Sequence, residues 1–209
     1  MRWPTGAAKI VLLASTALLE WQRTRATRLD ALFDVHASAD SASSGRRLRT
    51  QEVNWAITVR LSGEFQGFVR DLHTLSSDCF AEWACGGNSA ARDVTAEALT
   101  LNRQLDRGNA QPSSLGSDFG RLGVNFWAAL GAHDRRTPSR QTHLERLNEA
   151  RNAIAHSRPA ELHALEAAGY PITMRTVLNW HQVLSALATT MDVVMADHLA
   201  QLFRRDQPW

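Results

Sequence analysis

The chain has 209 residues, 44% of them apolar and 21% charged, with 23 bases against 21 acids and a formal net charge of +2. That length allows one or two domains with a core that needs no covalent staples, and the charge is too near balance to mark a nucleic-acid binder by itself. Two cysteines, Cys79 and Cys85, exclude a disulfide scaffold and a cysteine-based zinc site. They leave a reducing, cytoplasmic compartment as the expected one. Lys9 is the only lysine, so the remaining bases are arginines. Arginine grips phosphate bidentately, but a GC-rich genome produces the same bias with no functional meaning.

The apolar run 10–19 is shorter than the roughly 20 residues a membrane span needs. Arg2 and Lys9 imitate a signal peptide. However, the small residues at Ser15-Thr16-Ala17 would leave an apolar core of about five, below the usual range of roughly 7–15. Leu13, Ala17 and Trp21 sit on helical spacing instead, and a first helix is predicted over 7–36. A small-polar loop is expected over 36–45, closed by Arg46, Arg47 and Arg49. The second helix, over 50–76, has the clearest stripe: Val53, Ile57, Leu61, Phe65, Phe68, Leu72 and Leu75 follow a 3.6-residue period.

A third helix is predicted over 89–106 behind a cap at Asn88, then a loop over 106–117 containing Pro112. A short helix follows over 119–130, weakened by two interior glycines. A polar connector over 133–140 carries Arg135, Arg136 and Pro138. The fifth helix runs over 139–156, and Pro159 forbids its smooth continuation. The last runs over 174–203 from a cap at Thr173, with Val177, Leu184, Ala188, Met191, Met195 and Leu202 on one stripe. The expected fold is an all-α antiparallel bundle of about five to six helices, with the long last helix central. Residues 1–27 are expected as an N-terminal helical extension and 28–209 as the domain.

Chemistry concentrates at the end of the fifth helix, in Leu147-Asn148-Glu149-Ala150-Arg151-Asn152-Ala153-Ile154-Ala155-His156. Asn148, Asn152 and His156 are spaced i, i+4, i+8 and form a polar stripe on one side. Arg151 points about 140° away from His156, toward the side of Leu144. On the second helix, Glu64 projects into the apolar sector of Ile57, Leu61, Phe65 and Phe68. A carboxylate there is costly unless paired, and the expected partner is Arg151 or His156.

The segment Arg151-Asn152-Ala153-Ile154-Ala155-His156 resembles the signature of the HEPN superfamily (higher eukaryotes and prokaryotes nucleotide-binding domains). In that signature an Arg is followed after four to six residues by His, often with a polar residue directly after the Arg. Arg158…His163, Arg175…His181 and Arg136…His143 satisfy the looser pattern too. Only the first copy has Asn152 after the Arg, ends a helix and precedes a long apolar helix. The stretch 60–72, with Glu64 ahead of Phe65 and Phe68 and with Asp71-Leu72 after them, is similar to the early helix of bacterial HEPN proteins of the predicted-ribonuclease type. The likeness covers roughly residues 28–205.

The resemblance implies a metal-independent endoribonuclease with no cofactor, usually a homodimer whose two motif helices face each other across a cleft. It also implies RNA as substrate and a role as toxin of a toxin–antitoxin pair, with a cognate antitoxin protein as partner, or in antiviral defence. Arg151, His156 and Asn152 are the implied catalytic residues, supported by Glu64, Asn148 and Asp71. The chemistry suits the residues: an imidazole titrating near roughly 6.5 serves the proton transfers, and an arginine serves the charge growing on the phosphorane. Arg46, Arg47, Arg49, Arg135, Arg136 and Arg158 are candidate contacts to RNA backbone; solvated loops are the plainer reading of such runs. The alternatives are a non-catalytic HEPN module that binds RNA or nucleotide within a defence complex, or an unrelated all-α regulator. In that last case His156 is only a helix cap and Arg151 a salt-bridge partner. No metal site is expected, since His36, His143, Asp192, Asp197 and His198 fall into no recognised ligand spacing.

Overall fold

Ser15 starts the first helix: its Oγ accepts the Leu18 N–H at 3.0 Å, which satisfies one of the open donors of the first turn. This is a computed structural model, and it describes residues 14–40 and 46–209. From Ser15 the chain runs through α1 (Thr16–Glu20), a wider π-type turn (Trp21–Arg25) and α2 (Ala26–Asp40) as one broken helix. It is followed by α3 (Arg46–Cys85), α4 (Ser89–Thr100), a 3₁₀ turn (Gln104–Asp106), α5 (Pro112–Gly120), α6 (Phe126–His133), α7 (Thr137–Ala155), α8 (Pro159–Ala167) and α9 (Met174–Phe203). The described residues are all-helical, without strands. With the first broken helix taken as one, they form eight helices and not five or six.

The bounds moved for local reasons. Helix α2 continues to Asp40, past the expected start of the loop; residues 7–13 and 41–45 lie outside the described residues. Arg46, Arg47 and Arg49 open α3, which at 40 residues outruns both predicted ends, because nothing before Gly86 (φ 56°) breaks it. Asn88 caps α4 by accepting the Ala91 N–H at 3.1 Å, but α4 stops at Thr100, with Asn102 at φ 55°. Pro112 and Pro159, read as loop and stop signals, each stand in the first turn of a helix, α5 and α8. Proline there lacks only an N–H that the helix would leave unpaired. Gly123 (φ 80°) separates α5 from α6 and divides the predicted helix 119–130.

The core lies between α3 and α9, where Ile57, Leu61, Phe65, Phe68 and Leu72 meet Val177, Leu184, Ala188, Met191 and Met195, all fully buried. Each large side chain of this kind contributes about 1.5–3 kcal/mol by leaving water. The composition of α9 would also let it cross a membrane (mean hydropathy 1.3), but 56% of that window is buried inside the protein. Leu202, counted into its stripe, is 49% exposed at the helix end, two residues before Arg204 closes it at φ 53°.

Residues 14–27 are no appendage to this core. Ala17, Leu18 and Trp21 are buried, and the Trp21 ring packs against Phe65 at 5.7 Å and Phe68 at 5.9 Å. The boundary expected at 27/28 therefore cuts through a continuous hydrophobic core. Arg25, one turn beyond Trp21, lies over Gly67 of α3 and bridges Glu64 (2.9 Å) and Asp71 (2.6 Å). A Cβ on Gly67 would overlap the Arg25 guanidinium, whereas one on Gly63 would meet nothing within 4 Å. Gly67→Ala gains helix propensity but pushes the Arg25 guanidinium away from Glu64 and Asp71, and the weakened pairing of buried Glu64 is expected to lower stability by about 1 kcal/mol net. Gly63→Ala should raise it by about 0.5–1 kcal/mol through helix propensity. Urea midpoints of the two variants check the opposite signs.

The two ends of the described chain meet on α9. Asp192, 2% exposed, accepts the Ser15 N–H and the Trp209 Nε1–H on Oδ2, each at 3.2 Å, while its Oδ1 has no hydrogen-bond partner among the described residues. Burial pushes its carboxyl up, against the lowering effect of those hydrogen bonds. A raised folded-state value favours the protonated form, so this group's contribution to stability is complete below the ordinary carboxylate range and lost as pH rises through the folded value. Asp192→Asn should remove that loss and leave a flatter stability profile above about pH 4, the ordinary carboxylate value. Denaturation midpoints taken from pH 4 to 8 test this.

Candidate functional site

Helix α7 carries the Asn148–Asn152–His156 stripe from the interior to the surface. Asn148 is fully buried: its Oδ1 accepts from Ser62 Oγ of α3 at 3.1 Å and its Nδ2 donates to Ala110 O at 2.9 Å. One turn on, half-buried Asn152 accepts Asn109 Nδ2 on its Oδ1 at 2.7 Å, and Arg151 Nη1 on the same oxygen at 3.1 Å. Arg151 is half-buried and has no carboxylate partner among the described residues. Asn152 therefore orients Arg151, and its side chain makes no bond to His156.

The helix ends at His156. Its N–H still bonds Asn152 O at 3.0 Å, and Ser157 then turns to φ 50°, so that the Arg158 N–H closes back on Ala153 O at 2.8 Å. A left-handed residue after the last turn satisfies the open carbonyls, and in a serine it costs about 1 kcal/mol or more. The imidazole of His156 is left exposed at the terminus, with no side-chain hydrogen bond among the described residues.

The segment that grips the two asparagines is itself held. The Asp118 carboxylate accepts the N–H groups of Gln104 (3.0 Å) and Leu105 (2.9 Å), and Gln66 Nε2 of α3 donates to Leu105 O (2.8 Å) and to Gly108 O. Buried His73 bonds Asp118 O through Nε2 at 3.0 Å; burial pushes its pKa down, so the neutral ring donates there. Sequence reasoning passed over Asn109, Gln66 and Asp118. They stand in a stretch with no periodicity, or on a helix face whose neighbour was unknown.

Glu64 is 3% exposed, but neither Arg151 nor His156 is its partner. It meets Arg25 at 2.9 Å, Arg28 at 3.4 Å, and Arg60 one turn back on α3. Burial pushes its carboxyl up. The Arg25 hydrogen bond and the Arg60 and Arg25 charges outweigh this and hold it below the ordinary range. Ser62, which touches Asn148, stands two positions before Glu64, so the two point about 160° apart around α3. The motif helix packs on one side of α3 and the Arg25–Glu64–Asp71 cluster on the other. Glu64 and Asp71 thus belong together, apart from the Arg151 site.

The arginines proposed for RNA are scattered. Arg135 and Arg49 are exposed, Arg136 is engaged with Asp134 (3.3 Å), and Arg158 is paired with Glu161 (3.0 Å) beside His156. The side chains of Arg46 and Arg47 lie outside the described residues. Arg140, in the same run as Arg135, is a core residue held by Asp134 and by Thr190 Oγ1. Cys79 is half-buried and its thiol is pushed up to about 11 by burial, which keeps it protonated and a poor nucleophile. No family model, characterised protein or solved structure matches this chain.

Proposed function

We propose that the protein is a metal-independent endoribonuclease of the HEPN type. His156 transfers protons at the scissile phosphate and Arg151 stabilises its developing charge. The reading is carried by one observation: an arginine with no carboxylate partner among the described residues, oriented by Asn152, on the same final turns of α7 as an exposed imidazole. A structural arginine is normally paired when it is removed from water, and a histidine serving only the core is normally bonded or enclosed. Cleavage by this route needs a base for the ribose 2′-hydroxyl and an acid for the leaving oxygen. Two copies of His156, related by the two-fold axis of a homodimer, supply both. Asn152 is a positioning residue, since its amide oxygen holds Arg151 and ties it to Asn109. Arg158, and more remotely Arg135 and Arg49, are the exposed cations nearest to serving the RNA backbone.

In the cell this activity fits a cytoplasmic toxin neutralised by a cognate antitoxin, or a component of antiviral defence. The test is incubation of end-labelled RNA with the purified protein in excess EDTA. Cleavage that survives EDTA and is lost in His156→Ala supports the reading. Cleavage at the parental rate in His156→Ala and Arg151→Ala overturns it.

A further inference from the structure

We propose that the cleft between the second half of α3, helix α4 and residues Pro208 and Trp209 binds an organic ammonium group, carried by a free amine or by a lysine side chain. The cleft measures about 460 Å³, within the range of about 300–1,000 Å³ typical of small-ligand sites. Leu75 and Cys79 of α3, Ala96 of α4 and Pro208 give it apolar surface. The half-buried Trp209 indole forms a further wall. That wall is fixed on α9 at two points. Trp209 Nε1–H bonds Asp192 at 3.2 Å, and Gln207 Nε2, two residues back, bonds Asp197 at 2.6 Å.

The charges on the cleft are unequal. Its lining holds Asp78, Glu82 and Asp93 against a single base, Arg92. Arg92 is already engaged, with Asp93 at 2.8 Å and Glu82 at 3.4 Å. Arg205, whose charge also reaches this end of α3, lies over the Trp83 ring at 5.4 Å. Asp78 is left without an ion pair or side-chain hydrogen bond among the described residues. It is exposed, so an occupant can reach it, yet the packing around it pushes its carboxyl up, opposed only by the Arg92 charge. A carboxylate in this condition gains from a cation brought beside it. An alkylammonium group meets every wall of the cleft: its charge pairs with Asp78, the indole attracts a cation, and its methylenes cover the apolar side chains. Phosphate and other anions are repelled by the acidic excess. A metal ion fits poorly, since no group of His, Cys, Asp and Glu among the described residues could hold one and Cys79 stays protonated. Ammonium binding here is independent of the ribonuclease reading.

The experiment is a titration of the full chain with putrescine and, separately, with N-acetyl-lysine methylamide, followed by heteronuclear NMR at the Trp209 indole N–H. That signal is assigned by its loss in Trp209→Phe. Butanediol, the uncharged counterpart of putrescine, and sodium chloride at matched ionic strength are the controls. Both amines should shift the Trp209 signal saturably at millimolar concentration, and neither control should do so. Asp78→Asn should weaken binding by about tenfold or more, as loss of a charge-assisted partner does. Ala96→Leu, which fills the cleft without changing its charge, should weaken it by about tenfold as well, by exclusion. Melting curves check that both variants are folded. Putrescine binding at least as tightly as the lysine derivative identifies a free amine as the ligand; the reverse order identifies a lysine side chain. The proposal is overturned if neither amine shifts the signal at tens of millimolar, if butanediol or salt shifts it equally, or if folded Asp78→Asn binds as the parent does. An amine-binding protein that cleaves no RNA retains this site and loses the ribonuclease reading. RNA cleavage without amine binding does the reverse.

Discussion

Replacing Arg25 with alanine should destabilise the protein by about 3 kcal/mol, the lower end of the roughly 3–5 kcal/mol lost when a buried ion pair loses one member. Arg25 lies against α3, 2.9 Å from Glu64, and is the least exposed of the three arginines that reach this carboxylate, which is itself 3% exposed. Arg28 and Arg60 also reach Glu64, but each is 49% exposed and shares its charge with water, which keeps the loss at the lower end. Asp71, 48% exposed, rehydrates readily when Arg25 is removed. Adding Glu64→Gln to Arg25→Ala should restore part of the loss, because a neutral amide costs less to leave unpaired than a charge. Equilibrium urea unfolding of the parent, both single variants and the double variant reads the coupling directly. A loss below 1 kcal/mol in Arg25→Ala would show that Glu64 is hydrated. The same pair sets an acid limit. Glu64 is held below its ordinary value, so its contribution is present above the unfolded-state value and is lost as pH falls through the folded one. Asp192 acts with the opposite sign.

His156→Ala should lower the RNA-cleavage rate by about 10²–10⁴-fold, the usual contribution of a positioned proton-transfer group. Arg151→Ala should cost about 10²–10³-fold, as loss of one donor to a developing oxyanion does. Neither change should move the melting temperature by more than a degree or two. Among the described residues the His156 imidazole is exposed and makes no hydrogen bond, and Arg151 has a single side-chain bond, to Asn152. Rate loss without loss of stability separates a catalytic from a structural role. Asn109→Ala is expected to fall between: it frees Asn152 and loosens Arg151, so the turnover rate should drop with little change in apparent affinity for RNA. Single-turnover cleavage together with thermal melts checks all three. A His156→Ala protein that melts well below the parent would assign the imidazole to the fold.

Periodicity was the reliable guide. The α3 stripe from Ile57 to Leu72 and the α9 stripe from Val177 to Met195 are buried, and Asn88 and Thr173 cap the helices they precede. Prolines marked where a helix stops but not where the next begins: α7 ends at Ala155, ahead of Pro159, as expected. Pro112 and Pro159 open helices, because the same missing N–H that ends one helix is harmless at the start of another. The motif on α7 was legible because its i, i+4, i+8 spacing is local to one helix. Its supports were not, because Asn109 reaches Asn152 across 43 residues of chain and Ser62 reaches Asn148 across 86, while Gln66 acts through Leu105, 39 residues away.

What the sequence determined by itself was the all-helical class, the burial-prone faces of the two longest helices and the clustering of Arg151, Asn152 and His156 at a helix end. Each depends on spacing within a single helix, which 3.6 residues per turn translates directly into a face. Which face meets which neighbour was decided only by tertiary packing. Glu64 needed a cation and the chain contains 22 arginines, so local pattern could not choose among them. Packing of α1 and its π-type turn against α3 selected Arg25, and placed Arg151 on the far side of the same helix, about 160° around its axis.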